Sequence, residues 1–563
     1  MTRVTRRGLL GGAALGTMAL AACKTSPAEA EGFQGELAFL HGVASGDPLP
    51  GAIILWTRIT PLAGAGPVTV AWEISEAGSP VPAAAGEVVT SAARDYTVKV
   101  DATGLKPATA YTYRFKARAG GGDVISPEGR TRTPAADGTA PVKLGVVSCS
   151  NWQFGLFSAY AALAATPDLD AIVHLGDYIY EYGTDGYGGD IAEKLGRPHD
   201  PPTEIISLAD YRRRHAQYKT DPGLQAAHAA APWICTWDDH ESTNDSYRTG
   251  AENHNPDKGE GDWSERKMRA VQAYFEWMPV REPRAGDVTS AVWRTFRFGN
   301  VATIHALESR LTGRSEPLDW ATALAGAVTP PEIGARVMAT LQSAGDPART
   351  MLGAEQEAWL AGELAASVQS GAAWQVLANQ VIMARVRLPD FTRTLTPEQV
   401  AAQDRPEVLS FIPFTALGVP FNLDAWDGYP AARERLYAGV AAAGARLVTL
   451  TGDTHTAWAN ELRDASGTRR GVEFACTSVS SPGMGAYVKA VPDLGTQIAN
   501  VNDEVNWHDP FGNGYTLVTL TAEEAKASFH KMETIYTAES GVLIAASFSA
   551  RIEGGKVSAL SPA

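Results

Sequence analysis

The sequence predicts an α/β core preceded by a small β-sandwich. Three observations predict it. Residues 33–133 are dominated by short strand-like runs separated by turns. The segment Thr133-Pro-Ala-Ala-Asp-Gly-Thr-Ala-Pro141 then reads as a linker, and the rhythm changes after it. Beyond that point, apolar runs repeatedly stop and polar or acidic residues follow at once. With 563 residues, 45% of them apolar and 20% charged, the chain has the composition of a globular protein with a sizeable core and more than one unit.

Taken in order, the first 32 residues read as signal and tether. Arg3, Arg6 and Arg7 precede a short apolar stretch ending at Ala22, too short to span a bilayer and shaped like an export signal. Arg6-Arg7-Gly-Leu-Leu resembles a twin-arginine signal, which implies the Tat export machinery as a partner and a periplasmic or extracellular destination. Leu20-Ala-Ala-Cys23 fits two readings: a lipobox that makes Cys23 the lipidated first residue of an anchored protein, or small residues before an ordinary cleavage site. Residues 33–134 form the expected N-terminal sandwich. Ile53-Ile-Leu-Trp-Thr, Val68-Thr-Val-Ala-Trp-Glu-Ile and Tyr96-Thr-Val-Lys-Val are strand-like, and Tyr111-Thr-Tyr-Arg-Phe-Lys-Ala alternates as a half-buried strand does. Leu105-Lys-Pro-Ala-Thr-Ala-Tyr111 resembles the turn of fibronectin or immunoglobulin-like domains.

After the linker at 135–141, residues 142–563 form the expected catalytic domain. Val142–Ser148 is a strand ending at Cys149, residues 156–166 a helix with Leu156, Tyr160 and Leu163 on one face, and Ala171–Leu175 a strand ending at Gly176-Asp177. Trp233–Trp237 leads into Asp238-Asp-His-Glu, Val301–Leu307 and Val376–Val381 are further strands, and Arg446–Thr451 leads into Gly452-Asp453. Ligand chemistry in α/β folds collects at the carboxyl ends of strands. One acidic residue after a strand is explained by a turn or a helix cap. Four such ends, with His and Tyr beside them, point to a shared site. The formal charge of -15 argues against a general nucleic-acid surface. Four cysteines are too few for a disulfide scaffold, and Cys235 and Cys476 read as small buried apolar residues.

The residue types specify the chemistry. Asp177 can bridge two cations with its two oxygens, and the Tyr180 phenolate three residues on suits a hard trivalent ion. Asp238-Asp-His-Glu-Ser-Thr-Asn-Asp245 offers Asp and Asn oxygens suited to Ca²⁺ or Mg²⁺. His240, in the same run, can donate to a phosphate oxygen or protonate a leaving alkoxide. Asp453 and His455 face one way on a strand, or reach different metals on a tight turn. Cys149, between two serines, is a thiolate ligand, a nucleophile or a buried spectator, and no papain-like signature surrounds it.

These motifs, in this order, resemble the alkaline phosphatase D (PhoD-like) family, related to calcineurin-like and purple acid phosphatases. The resemblance is carried by Phe39-Leu-His-Gly-Val-Ala-Ser-Gly-Asp-Pro, Leu55-Trp-Thr-Arg, Ser148-Cys-Ser-Asn, His174-Leu-Gly-Asp-Tyr-Ile-Tyr-Glu, Trp237-Asp-Asp-His-Glu, Asn379-Gln, Trp426-Asp-Gly-Tyr-Pro and Thr451-Gly-Asp-Thr-His. It implies a calcineurin-like metallophosphoesterase β-sandwich flanked by helices, hydrolysing phosphate mono- and diesters by attack of a metal-bound hydroxide. It implies Fe³⁺ and Ca²⁺ as cofactors. Cys149, Tyr180 and His455 would hold iron, Asp177 would bridge, and Asp453 would lean to calcium with Asn244 or Asp239. His240 would assist the leaving group. Arg310, in Glu308-Ser-Arg, is either a phosphate clamp or a structural arginine. The expected partners are small phosphate esters or phospholipid headgroups, and the expected state is a monomer. Rival readings are a phospholipase D-type hydrolase of the same fold, a zinc or manganese nucleotidase, and a cell-surface binding protein with an inactive core.

Overall fold

The computed structural model describes residues 33–282 and 293–563. The signal-like segment, the tether and Cys23 lie outside the described residues. Two large sheets stack face to face. One is eleven-stranded and the other seven-stranded. The centre of the first is Val142–Val147, Ala171–His174 and Trp233–Cys235, all parallel, with Leu144 opposite Ala171 and Ile172 opposite Trp233. The centre of the second is Ala302–Ala306, Trp374–Ala378, Leu447–Thr451 and Arg469–Ala475, also parallel. Leu144, Val146 and Val173 from the first meet Ile304, Val376, Val448 and Phe474 from the second.

Helices cover the outer faces. Ser158–Ala164, Leu208–Tyr218, Pro222–Ala230 and Trp263–Trp277 lie on the first sheet, where Tyr160, Leu163, Leu224 and Tyr274 pack with Val147, Ile172 and Trp233. Ala354–Gln369 and Pro430–Ala443 lie on the second, through Leu360, Leu364, Leu436 and Tyr437. Strands enclosed on both sides are mostly apolar, and Ala171–His174 is buried throughout, with His174 Nε2 satisfied by the Tyr160 hydroxyl at 2.9 Å. The helix expected over 156–166 is shorter, Ser158–Ala164, with Phe157 before it at φ -84°, ψ 46°, outside the helical region.

The N-terminal sandwich has one sheet of its own, with Gly129–Arg132, Ala110–Ala119, Val68–Glu76 and Pro82–Thr90 in that order. Its second layer is the end of the large first sheet. Val43–Leu49, Ala52–Arg58 and Thr97–Thr103 extend that sheet beyond Trp233–Cys235, with Trp233 opposite Gly46. Val43, Leu55, Val98 and Val100 then pack on Val70, Ile74, Tyr113 and Phe115. The sequence predicted two units joined by a linker, and the structure runs one sheet through both. Residues 380–428 form a hood over the second sheet, with helices Phe391–Thr394, Pro397–Ala401 and Pro406–Thr415. Among the described residues no helix is long and apolar enough to cross a membrane.

Candidate metal centre

The parallel strands end together, and their next residues converge. Cys149 follows Val142–Val147, Asp177 follows Ala171–His174, Asp238 and Asp239 follow Trp233–Cys235, and Asp453 and His455 follow Leu447–Thr451. The chain turns sharply there. Cys149, Asp177, Asp453 and His455 have φ of 57°, 56°, 64° and 59°, in the left-handed region that costs non-glycine residues free energy. The turns are tied to one another. The Cys149 amide donates to the Gly176 carbonyl at 3.1 Å, and the Ser150 amide to the Asp177 carbonyl at 2.9 Å. Gly176 is required: a Cβ there would lie 2.4 Å from Asp238 Cβ.

Three sets of side chains bring ligand atoms within 4.8 Å of one another: Cys149, Asp177 and His455; Asp177, Asp239 and His240; Asp238, Asp239 and Asp453. Asp177 belongs to the first two and Asp239 to the last two, so the sets form one continuous cluster. The Tyr180 hydroxyl joins it, 3.1 Å from Asp177 Oδ2, 3.3 Å from His455 Nε2 and 2.7 Å from Ser481 Oγ. His455 Nδ1 sits 3.1 Å from the Pro482 carbonyl, which only accepts, so Nδ1 carries the proton and the Nε2 lone pair faces Tyr180. Burial pushes His455 down to about 4, keeping it neutral as a ligand must be.

Burial dominates the titration of the cluster. Burial first, and Asp177 second, push the Cys149 thiol up. Burial likewise pushes Asp177 and Asp453 well above the usual carboxylate range. Asp177 Oδ1, Asp238 Oδ2 and Asp239 Oδ1 are buried without a hydrogen-bond partner. Buried carboxylate oxygens left unpaired are costly, and a cation is the partner that relieves them. The donor set therefore fits metal ions: sulfur, phenol and imidazole on one side, carboxylates on the other.

Some expected residues occupy other places. Arg310 is fully buried and does not line the cavity over the cluster. It pairs with Asp238 through Nε, with Asp424 at 2.7 Å, with Asp453 at 3.5 Å and with Asp239 at 3.7 Å. Its donors are directed at the protein's own acids, and the structure places it as a counter-charge beneath the cluster. Asn244 lines the cavity, with its amide nitrogen 3.2 Å from Glu252. Asp238 stands beside Asp239 and Asp453. His240 stacks on Tyr180 with ring centroids 4.2 Å apart, and its Nδ1 is 2.7 Å from Glu181. Burial alone would make it harder to protonate. Asp239 and Glu181 outweigh burial and hold it well above the usual imidazole range.

Sequence reasoning missed three supporting acids. Glu241 accepts the amides of Asp177, Tyr178 and Asp238 at 3.1, 2.7 and 2.9 Å. Glu181 orients His240, and Asp424 pairs with Arg310 and Arg314. Glu181 and Glu241 directly follow Tyr180 and His240, so adjacency to ligand types was a signal for them. Asp424 carried none.

A cavity of about 710 Å³ opens on Asp177, Asp239, His240, Asp453 and His455. Residues 144–529 match the model of the PhoD-like phosphatase family, and residues 24–135 that of the PhoD-like phosphatase N-terminal domain. Alkaline phosphatase D of Bacillus subtilis strain 168 is 35% identical, over 91% of this chain and 80% of that protein. A solved structure of PhoD is 31% identical, superposes with a TM-score of 0.75, and is covered over 92% of its length by 93% of this chain.

Proposed function

The chain belongs to the PhoD-like phosphatase family and is an alkaline phosphatase D-like phosphoesterase, and from that premise we propose that it hydrolyses phosphate mono- and diesters at a metal centre built on Asp177. The carrying observation is the convergence of unpaired buried carboxylate oxygens with a thiol, a phenol and a neutral imidazole at four strand ends. Cys149, Tyr180, His455 and Asp177 would hold Fe³⁺, whose hardness suits phenolate and carboxylate and whose charge stabilises the thiolate. Asp238, Asp239 and Asp453 would hold Ca²⁺, an ion that takes oxygen ligands. Cations there would supply Lewis acidity toward phosphoryl oxygens and lower the pKa of water beside phosphorus.

The chain's own groups do the rest. His240, oriented by Glu181, donates a hydrogen bond to a phosphate oxygen or a proton to the departing alkoxide. Arg310 acts as a positioning residue that keeps Asp238, Asp239 and Asp453 together. Arg6-Arg7 and Leu20–Cys23 support export of the folded, metal-loaded enzyme, which replacement of both arginines by lysine followed by cell fractionation tests. The decisive experiment on the centre is Asp177→Ala. Metal content and turnover of p-nitrophenyl phosphate and bis(p-nitrophenyl) phosphate are expected to disappear together, without restoration by zinc alone. Activity retained at full metal content would refute the assignment.

A further inference from the structure

The cavity over the candidate ligands changes character away from them. From Asp177 and His455 its wall continues onto Leu388, Phe391, Phe411, Phe421, Met484 and Val488. Most of this wall comes from the hood, which no sequence motif explained. Phe411 and Phe421 meet edge to face at 5.9 Å, and both remain partly exposed. Apolar surface facing water is unfavourable, and a concave apolar wall continuous with a reaction centre is suited to the apolar part of a substrate. Charge narrows the class further. Among the described residues that line the cavity, Arg405 is the one arginine or lysine, its guanidinium 5.0 Å over the Tyr487 ring. Beyond the ligand cluster the wall therefore offers little compensation for a polyanion. It suits an uncharged, apolar substituent on the phosphate.

We propose that this site acts on phosphodiesters carrying one bulky apolar substituent, alkyl or aryl, laid along the wall from Leu388 to Phe421 while phosphorus sits at the Asp177 cluster. The proposal rests on the phosphoesterase reading above and names its substrate class. In the reaction water adds its oxygen to phosphorus and the P–O bond to one alcohol breaks. The alcohol or phenolate departs and a phosphate monoester remains, with the surplus proton passing to solvent. The apolar substituent takes no part in bond making. It contributes by leaving water, about fourfold in affinity per methylene fully buried.

The test uses the metal-loaded full-length enzyme and the p-nitrophenyl esters of methyl, butyl and hexyl phosphate, below their aggregation concentrations. The p-nitrophenolate release is common to all, so only the retained substituent varies. kcat/KM is expected to rise about two- to fourfold per methylene. In Phe411→Ala, and independently in Phe421→Ala, the hexyl-to-methyl ratio is expected to fall at least fivefold, a ratio insensitive to the amount of folded enzyme. Equal kcat/KM across the series overturns the proposal and leaves the phosphoesterase reading intact. A steep series that both variants preserve also overturns it, because the substituent then lies elsewhere. Failure to turn over any member, together with p-nitrophenyl phosphate, would instead sink the reading on which the proposal stands.

Discussion

At Glu241 one carboxylate holds two turns of the candidate metal centre in register. It accepts the amides of Asp177, Tyr178 and Asp238, all buried. Glu241→Ala would leave three buried donors unpaired, at about 1–3 kcal/mol each. The expected result is a fall of about 3–9 kcal/mol in stability, with loss of metal from whatever remains folded, read by denaturant unfolding and elemental analysis. An unchanged midpoint would show that the amides find other partners. His240 makes a kinetic prediction. A group that protonates the departing oxygen matters little when the leaving group is already stable as an anion. His240→Asn is expected to slow hydrolysis of alkyl esters by about 10²–10⁴, and of p-nitrophenyl esters far less. A uniform loss across leaving groups would assign His240 to binding the phosphate oxygens. The candidate ligands were legible because their residue types concentrate after strands, as in Gly176-Asp177 and Asp238-Asp239-His240. Arg310 was ambiguous for a physical reason: a guanidinium suits phosphate and carboxylate equally, and only the fold decides that four aspartates reach it first.

Elements were legible where one period dominates. Val142–Val147, Ala171–His174 and Leu447–Thr451 are mostly apolar and almost wholly buried because both faces are covered. Gly514–Leu520 and Glu524–Met532 alternate between buried and half-buried positions, yet escaped notice because Thr, Ser, His and Lys fill one face. The hood resisted for another reason. Its apolar residues line a cavity, so they follow no helical or strand period. Glu473 anchors it. From the strand Arg469–Ala475 its carboxylate accepts the amides of Met383 and Ala384 at 2.7 and 3.1 Å, and the Asn460 amide group at 2.8 Å. Burial outweighs these bonds and pushes Glu473 from the ordinary 4.5 up to about 7. A carboxyl raised on folding stabilises the fold below its unfolded value and loses that contribution as pH rises through its folded one. From pH 4.5 to 7.5 the loss amounts to about 3 kcal/mol. Glu473→Gln cannot ionise, so its stability relative to the parent chain is expected to rise by about that amount over the same range, measured by urea unfolding. A difference independent of pH would mean that Glu473 is already ionised throughout.

Across the whole molecule, the feature least visible in the sequence is the continuity of the first sheet. The composition of residues 135–141 marks a linker, and matches to two family models fall on either side of it. Strand pairing between Gly46 and Trp233 leaves no local trace, because it joins residues far apart in the chain. The consequence is cooperative. Trp56 donates to the Glu276 carbonyl at 2.8 Å, and its ring lies 5.8 Å from that of Trp277. Arg281 reaches back to Asp101 at 2.8 Å. Removing residues 33–134 would strip the strand partner from Trp233–Cys235 and uncover Trp277, leaving an open sheet edge beside exposed aromatic surface. Two units that share a sheet and a core cannot unfold separately without exposing that seam. Calorimetry of the intact chain is therefore expected to give one transition, with calorimetric and van't Hoff enthalpies in agreement. A chain beginning at residue 135 is expected to aggregate or to lack near-ultraviolet circular dichroism. Two resolved transitions, the upper one surviving in the shortened chain, would show that the sheet is continuous in geometry but divided in energy.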